Sequence, residues 1–319
     1  MDEVTLTRGY QALRTTAAWF DLSARGRLRA TGADRKRLLH ALTTNHIECL
    51  QPGEGVYAFF LNAQGRVLAD AIIVCRAEDL LISTEPETRE KVAQHIEHYI
   101  IADDVALEDG TAATCELALE GPDADSRLVF MELPVPGAEY GCTEERGITL
   151  LRASMTGQPG FRLIAPEDRK DELQSQLAES APQASADDLR AVRLENGRPR
   201  YGEDISERYI AHETGQMQAL HVDKGCYLGQ EIVERVRSRG LVRRQLRALR
   251  IAGQAVPAPG DKLLAGGQEA GEITSAAWSP AEEAVRVLAY LRLDVGQAAD
   301  LRTAAGQLAQ VVEDRRRDA

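Results

Sequence analysis

The sequence lacks the features that direct a chain into or across a membrane. No apolar run approaches the length of about 20 residues that a membrane-spanning helix needs. The N-terminus, which begins Met1-Asp2-Glu3, is acidic and has no basic start followed by an apolar segment, as a secretory signal would have. We therefore expect a cytoplasmic protein that has no membrane partner.

Cysteine and histidine are also scarce, and their spacing is not that of a metal site. The five cysteines are an odd number without a CxxC pair, and among the six histidines only His95 and His98 are close in sequence. This pattern is typical of reduced thiols and argues against a structural zinc or a cysteine-bound cluster. We predict no metal ligands.

Three common catalytic motifs are absent: the GxxxxGK[ST] phosphate loop, GxGxxG after a strand, and the GxSxG elbow. Nucleotide hydrolysis, dinucleotide redox chemistry and serine hydrolysis therefore have no support from the sequence. The formal net charge of -12 repels a polyanion on average, which counts against a nucleic-acid partner.

Positive charge is concentrated in one segment of this acidic chain. A solvated face balanced by nearby acids explains such a cluster, and a local anion-binding site is the alternative. The arginines of the segment are Arg235, Arg237, Arg239, Arg243, Arg244, Arg247 and Arg250.

Repeated landmarks predict an α+β fold built from two related halves. A strand that ends in Gly-x-Asp before a helical stretch occurs at 28–42 and again at 117–124. A strand followed by a Pro-Glu helix start occurs at 80–87 and again at 161–167. Each half is expected to contain a helix, an antiparallel hairpin and a second helix.

The remainder of the chain divides into an irregular connection and a β-rich end. Residues 198–221 have no clear periodicity, and a connection of that length is typical of a functional segment or of one that covers a site. After Gly240, short strands alternate with turns, which predicts a small β-barrel or sandwich. We assign 1–112 to the first half, 113–240 to the second half and 241–319 to the C-terminal β-barrel.

The chemically densest stretch is 224–231, of sequence KGCYLGQE. Cys226 lies close to Lys224 and just ahead of a helix that is predicted to begin at Gln230. A nearby positive charge and a helix N-terminus both favour a thiolate. A small, buried, unreactive cysteine is the alternative, and spacing alone leaves both interpretations open.

Asp70 interrupts an otherwise apolar strand between Leu68 and Ile72. Simple alternation assigns it to the solvent face of the sheet. If it is buried instead, its carboxylate needs a partner and becomes a candidate for binding a cationic or hydrogen-bonding group. Tyr57 and Tyr227 could stack on a flat heterocycle, with core packing as the alternative role.

With these residues in view, the chain resembles the YgfZ-type folate-binding proteins, relatives of the aminomethyltransferase (T-protein) of the glycine cleavage system. The KGCYLGQE stretch is the specific part, because true aminomethyltransferases resemble it only in a lysine and a later glycine, without the cysteine. The resemblance covers nearly the whole chain and includes Phe20-Asp21-Leu22-Ser23, Gly32-Ala33-Asp34, Thr44-Asn45, Pro52-Gly53, the GRVLAD stretch 65–70 and the RLENG stretch 193–197.

The resemblance implies two α+β halves and a C-terminal β-barrel around a central channel that admits tetrahydrofolate. It implies that Asp70 faces the reactive nitrogens of the folate and that the arginines after Glu231 meet its anionic glutamate tail. In the transferases a Gly-Glu-Asp-Gly turn grips the pterin through its glutamate, whereas here the turn has the uncharged Gln158. We predict catalytic roles for Cys226 and Asp70, and folate contacts for Asp70, Gln158, Lys224, Tyr227 and Arg235.

Three functions are compatible with this resemblance. The first is a tetrahydrofolate-binding accessory factor that supports assembly or repair of iron–sulphur enzymes, with Cys226 as its functional thiol and those enzymes or their assembly proteins as partners. The second is a folate-dependent aminomethyl or one-carbon transferase. The third is a non-enzymatic folate-sensing or partner-docking module that uses the arginine-rich segment. The sequence leaves open whether the chain is an enzyme.

Overall fold

The computed structural model describes residues 6–240, 242–294 and 300–312. Two five-stranded antiparallel sheets and a closed six-stranded barrel contain the strands of this part of the chain. This architecture confirms the predicted α+β class and selects the barrel over the sandwich for the C-terminal region. The remaining residues of the predicted barrel domain, 241, 295–299 and 313–319, lie outside the described residues.

The first sheet is covered on one face by two helices, α2 (Arg35–Leu42) and α3 (Arg89–Tyr99). Their apolar residues pack with the inward face of the sheet in one buried cluster that includes Leu39, Ile96 and Phe60. In spatial order the strands are β3 (Gly55–Leu61), β4 (Val67–Cys75), β5 (Leu80–Thr84), β2 (Gly26–Thr31) and β6 (Ala106–Asp109).

The second sheet repeats this arrangement, with α4 (Ala124–Phe130) and α5 (Lys170–Ser180) following its two central strands. In spatial order its strands are β8 (Cys142–Glu145), β9 (Ile148–Arg152), β10 (Gly160–Pro166), β7 (Thr114–Glu120) and β1 (Ala18–Asp21). Four strands and two helices thus recur in the same order, as the repeated sequence landmarks predict.

The edge strands do not follow the order of the chain. Strand β1 precedes the first sheet in sequence, yet it pairs with β7 of the second sheet, with Ala18 opposite Glu120. Strand β6 occupies the equivalent edge of the first sheet and pairs with β2. The second sheet therefore contains an N-terminal strand, which ties the beginning of the chain to the second half.

Three further helices and the barrel complete the fold. Helix α6 (Ala186–Glu195) begins with a capping box between Ser185 and Asp188, and it packs with α1 (Arg8–Thr15) and with the barrel. Helix α7 (Gln230–Arg239) precedes the barrel. The barrel strands are β11 (Arg244–Ile251), β14 (Ala284–Arg292), β13 (Gln268–Ser279), β12 (Lys262–Ala265), β15 (Leu301–Thr303) and β16 (Leu308–Val311). Within the described ranges, no helix combines the length and the apolar character needed to cross a membrane.

The faces of the two sheets that are not covered by helices pack against each other. Ile72 and Leu81 of the first sheet share one buried apolar cluster with Leu151 and Ile164 of the second. Both faces of strand β4 are consequently covered by protein. This removes the solvent-exposed face that simple alternation assumes for a half-buried strand.

A buried carboxylate, Glu116 of β7, joins the two sheets. It accepts hydrogen bonds from Arg27 of β2 at 3.5 Å and from Arg162 of β10 at 3.3 Å, and Arg25 Nε lies 3.8 Å away. Arg162 also donates to Ser83 Oγ of β5 at 3.1 Å. Since β2 and β5 belong to the first sheet, one carboxylate neutralises guanidinium groups from both halves.

Replacing Glu116 with glutamine is expected to destabilise the fold strongly. The substitution leaves buried guanidinium groups without their counter-charge, which costs about 3 kcal/mol or more. The free energy of unfolding, measured by urea denaturation, reports the loss. Glu108→Gln is the matched control, because Glu108 is exposed and pairs with Arg29 at 3.5 Å in solvent, where an ion pair contributes little. Equal stability of the wild-type protein and Glu116→Gln would contradict this role.

Candidate functional site

A cleft opens at one end of the interface between the two sheets. The space inside it, including its open mouth, is about 540 Å³. The irregular segment after α6 forms one wall, as the length of that segment predicts. The cleft is lined by Arg25, Tyr57, Asp70, Ala71, Ile72, Glu85, Ser154, Met155, Arg162, Arg193, Arg198, Pro199, Arg200 and Gln216.

Asp70 lies in this cleft and is buried, with only 9% of its surface exposed. It is paired in register with Phe59 of β3, and its Oδ2 accepts a hydrogen bond from the Tyr57 hydroxyl at 2.8 Å. The structure therefore selects the buried alternative over the solvent face. Among the residues that the structure describes, no cation lies at hydrogen-bonding distance of Asp70, so its carboxylate is available to a ligand that donates hydrogen bonds.

The environment of Asp70 favours its neutral form. Burial, followed by the negative charge of Glu85, raises the pKa of Asp70 to about 6, although Tyr57 and Arg25 act in the opposite direction. Glu85 behaves differently, because its ion pairs with Arg25 and Arg200 outweigh the effect of burial and lower its pKa. Two neighbouring carboxyl groups are thus held in different protonation ranges, a pattern found at functional sites.

Five arginines line the cleft, and most of them have carboxylate partners. Glu85 pairs with Arg25 and also with Arg200, whose Nη2 lies 3.1 Å from Glu85 Oε2. Arg193 donates to Asp204 at 2.7 Å. The side chain of Arg198 has a different environment: its hydrogen bond within the described part of the chain is to the Tyr140 hydroxyl, at 3.5 Å. Arg198 is therefore the guanidinium most available to an anionic ligand.

Arg162 adds a second polar feature to the cleft. Its side chain is almost completely buried, and its Nε has no hydrogen-bond partner within the described residues. Burial, followed by the charge of Arg25, lowers the pKa of Arg162. A buried donor without an acceptor is costly, so a ligand or water in the cleft would stabilise it.

Ser154 and Met155, which precede the turn that contains Gln158, form one side of the cleft. Buried Glu120 accepts hydrogen bonds from the Met155 amide at 2.6 Å, the Ser154 hydroxyl at 2.8 Å and the Thr156 amide at 3.0 Å. Ser154 and Met155 line the cleft, whereas the half-buried Gln158 does not. The folate contact of Gln158 therefore stays a prediction, and it would have to be made from beside the cleft.

Lys224 is buried at the C-terminal end of α2. Its ammonium donates hydrogen bonds to the carbonyl oxygens of His40 and Thr43, and it lies 4.7 Å from the centre of the Tyr227 ring. Burial lowers the pKa of Lys224 to about 7. Two backbone carbonyls at the end of α2 thus hold the ammonium group, and the influence of Lys224 on the nearby thiol stays a prediction.

Leu228 and Gly229, which follow Lys224 in the KGCYLGQE stretch, also contact the first half of the chain. The Leu228 amide donates to the carbonyl of Ala41 at 3.1 Å. Gly229 has a φ of +83°, and a Cβ at this position would lie 2.7 Å from the carbonyl oxygen of Asn62, so only glycine fits. Cys226 lies between the two attachment points and is exposed. The KGCYLGQE stretch thus presents one thiol on an anchored loop.

The remaining predicted contacts also lie outside the cleft. Tyr227 is buried in an apolar cluster with Phe59, Leu61 and Tyr201, which is the core-packing alternative. Arg235 is exposed on α7. Of the site residues predicted from the sequence, Asp70 lines the cleft, whereas Cys226, Gln158, Lys224, Tyr227 and Arg235 do not.

Sequence reasoning missed most of the charged residues that surround Asp70. Arg25 and Glu85 lie at the ends of strands, where they resemble ordinary solvent-exposed residues, and no local pattern indicates that they meet. Arg198 and Arg200 carried a usable signal, since they flank Pro199 at the beginning of the irregular segment that was expected to cover a site.

Comparison with known proteins agrees with this architecture. A sequence model of a protein family, described as the GCVT N-terminal domain, matches residues 3–224. An aminomethyltransferase of Rubrobacter xylanophilus is 30% identical over 298 residues, which cover 88% of this chain and 78% of that protein. An aminomethyltransferase of Prochlorococcus marinus is 28% identical over 306 residues, covering 90% and 82%.

A solved structure has the same fold. The crystal structure of glycine cleavage system aminomethyltransferase T from Bartonella henselae superposes with a TM-score of 0.87 at 19% identity, covering 96% of this chain and 87% of that one. The match therefore extends over both halves and the barrel. The chain belongs to the GCVT family, the superfamily of the aminomethyltransferase T-proteins.

Proposed function

We propose that the chain binds tetrahydrofolate in the cleft between its two sheets and acts as a YgfZ-type accessory factor for iron–sulphur enzymes. Folate binding is supported by the buried Asp70 carboxylate, which faces a cleft with an aromatic and apolar wall. Folate binding by this protein family supports the same assignment. When bound, tetrahydrofolate supplies nitrogen atoms that carry one-carbon units.

The residues of the cleft fit the chemistry of a folate. Asp70 can accept hydrogen bonds from the N–H groups of a pteridine, and Tyr57, Ile72 and Met155 provide surfaces for a flat ring. Arg198 can pair with the carboxylates of the glutamate tail. In this proposal Arg198 takes the role that the resemblance suggests for the arginines after Glu231.

The accessory role depends on the position of Cys226. Its thiol is exposed on an anchored loop, and no residue of 224–231 lines the cleft. This arrangement favours contact between the thiol and a second protein over contact with a pteridine in the cleft. The iron–sulphur part of the proposal rests on the resemblance of the KGCYLGQE stretch, and the expected partners are iron–sulphur enzymes or their assembly proteins.

Aminomethyl transfer to tetrahydrofolate is the second candidate. The relatives named as aminomethyltransferases support it, and so does a carboxylate that can approach the folate nitrogens. Two considerations weigh against it: the resemblance implies that Gln158 takes the place of a transferase glutamate, and the exposed Cys226 would have no part in the reaction. The folate-sensing alternative uses the same cleft. It requires neither aminomethyl transfer nor a reaction of the Cys226 thiol.

Folate affinity is expected to depend on pH through Asp70. Above a pKa of about 6 the carboxylate is ionised and accepts hydrogen bonds, so affinity for 5-formyltetrahydrofolate should rise between pH 5 and 7.5. Asp70→Asn should weaken binding roughly 10- to 100-fold at pH 7.5 and abolish the pH dependence, since one charged hydrogen bond is lost. Calorimetric titration at several pH values measures both effects.

A second variant makes the pH test specific. Tyr57→Phe removes the hydroxyl that stabilises the ionised carboxylate, so the midpoint of the affinity profile should move to higher pH. Glu108→Gln, a change at an exposed position outside the cleft, should leave the profile unchanged. A wild-type affinity that does not vary with pH would contradict the role of Asp70.

If the thiol of Cys226 acts on a second protein, a mutation of Cys226 should affect iron–sulphur enzymes without affecting folate binding. In a strain that lacks the chromosomal gene, Cys226→Ser should fail to restore the activity of iron–sulphur enzymes, while the purified variant should bind folate as the wild type does. Cys49→Ser is the matched control, because Cys49 is the other exposed cysteine among the described residues. Full restoration by Cys226→Ser would refute the thiol role.

The transferase alternative predicts a measurable product. If it is correct, the pure protein incubated with tetrahydrofolate and an aminomethyl donor should release ammonia and form methylene-tetrahydrofolate. The rate should fall in Asp70→Asn and be unaffected in Cys226→Ser. If folate binds but no methylene-tetrahydrofolate forms, the transferase assignment is excluded, and the accessory and folate-sensing roles remain.

A further inference from the structure

Two arginines in the wall of the cleft, Arg25 and Arg162, have N–H groups to spare. Both residues are buried, with 5% and 3% of their surface exposed. Arg25 donates to Glu85 through Nη1. Arg162 also donates through Nη1, to Ser83 Oγ at 3.1 Å and to Glu116 Oε1 at 3.3 Å. Within the described residues, neither the Nε nor the Nη2 of either side chain has a hydrogen-bond acceptor.

The two guanidinium groups are neighbours. Arg25 Nε lies 3.8 Å from Glu116 Oε1, the same oxygen atom that accepts the hydrogen bond from Arg162. Burial, followed by the charge of Arg25, lowers the pKa of Arg162, as expected when one cation lies close to another. Two buried cations with unused donors are costly, so an acceptor in the cleft that takes N–H groups from both would offset part of this cost.

Arg25 also lies near Asp70 without occupying its carboxylate. Burial and the charge of Glu85 raise the pKa of Asp70, whereas Tyr57 and the charge of Arg25 act in the opposite direction. Within the described part of the chain, the hydrogen bond that Asp70 accepts from another side chain comes from the Tyr57 hydroxyl, at 2.8 Å. One region of the cleft therefore offers a carboxylate that accepts hydrogen bonds and, close to it, a pair of guanidinium groups that donate them.

We propose that Arg25 and Arg162 hold the oxygen of a formyl group, so that the protein selects a pteridine that carries a formyl group over one that carries a methyl group. The inference rests on the proposed folate site and names the one-carbon form that this site prefers. In that proposal Asp70 faces the ligand nitrogens that carry the one-carbon unit, so the donors close to Asp70 meet this unit. A formyl oxygen accepts hydrogen bonds, whereas a methyl group accepts none and leaves the buried donors unsatisfied.

The test compares two ligands that differ in their one-carbon unit. The full-length protein is titrated calorimetrically at pH 7.5 with 5-formyltetrahydrofolate and with 5-methyltetrahydrofolate. Both ligands have the same ring and tail and a substituent on N5, so the comparison reports mainly on the formyl oxygen. We expect the formyl ligand to bind roughly 10- to 100-fold more tightly, since the methyl ligand leaves charged donors without an acceptor.

The substitution Arg162→Lys tests the role of the guanidinium group. Lysine keeps the positive charge beside Glu116 but lacks the planar fork of donors, so most of the preference should be lost while the affinity for the methyl ligand changes little. Arg200→Lys is the matched control, because Arg200 also lines the cleft and its Nη2 pairs with Glu85 and Glu87. This variant should keep the preference. Urea denaturation shows whether both variants are folded.

The other outcomes count against the inference. Equal affinities of the wild type for the two ligands would overturn it and leave the folate site intact, as would occur if the carbonyl group of the shared ring accepted these hydrogen bonds. An equal loss of preference in Arg200→Lys and Arg162→Lys would also overturn it. If Arg162→Lys does not fold, the comparison of the two ligands on the wild type decides alone. Failure of the wild type to bind either ligand would overturn the proposed folate site and this inference with it.

Discussion

The structure depends on a set of charges buried between its two sheets. Glu116 neutralises guanidinium groups from both halves, and removing water from such ions is expensive unless all partners are present. The two halves can therefore pack closely only in the arrangement that brings Arg25, Arg27 and Arg162 to this carboxylate. Two of these arginines also line the cleft, so the same contacts that join the halves determine where a ligand can bind.

The chemistry of the cleft depends on which of its carboxylates is paired with an arginine. Arg25 pairs directly with Glu85 and favours its ionised form, while Asp70 has a phenol as its hydrogen-bond donor and experiences the charge of Glu85. Burial and repulsion then raise the pKa of Asp70 towards neutrality. An acid in this range can be ionised or protonated with little free energy, which suits a group that contacts a ligand.

The thiol site and the cleft are distinct, yet they share strand β3. Tyr57 of this strand donates to Asp70, and Phe59, two residues later, packs with Tyr227 of the anchored loop. The Phe59 amide also donates to Thr44 Oγ1, and the Thr44 carbonyl accepts from His221 at the beginning of the segment that carries Cys226. Residues of both sites thus contact strand β3 of the first half.

Local patterns in the sequence determined the elements and their repetition: the paired strand–helix landmarks, the short strands after Gly240 and the presence of an acid in an apolar strand. Hydrophobic periodicity and turn residues act over short stretches of the chain, so they can be recognised in the sequence without knowledge of the fold. Only the tertiary structure decided that β1 joins the second sheet, that Lys224 caps α2, and that Arg25, Glu85 and Arg198 surround Asp70. These contacts join segments far apart in the chain, and their free energy depends on shared burial, which no local pattern encodes.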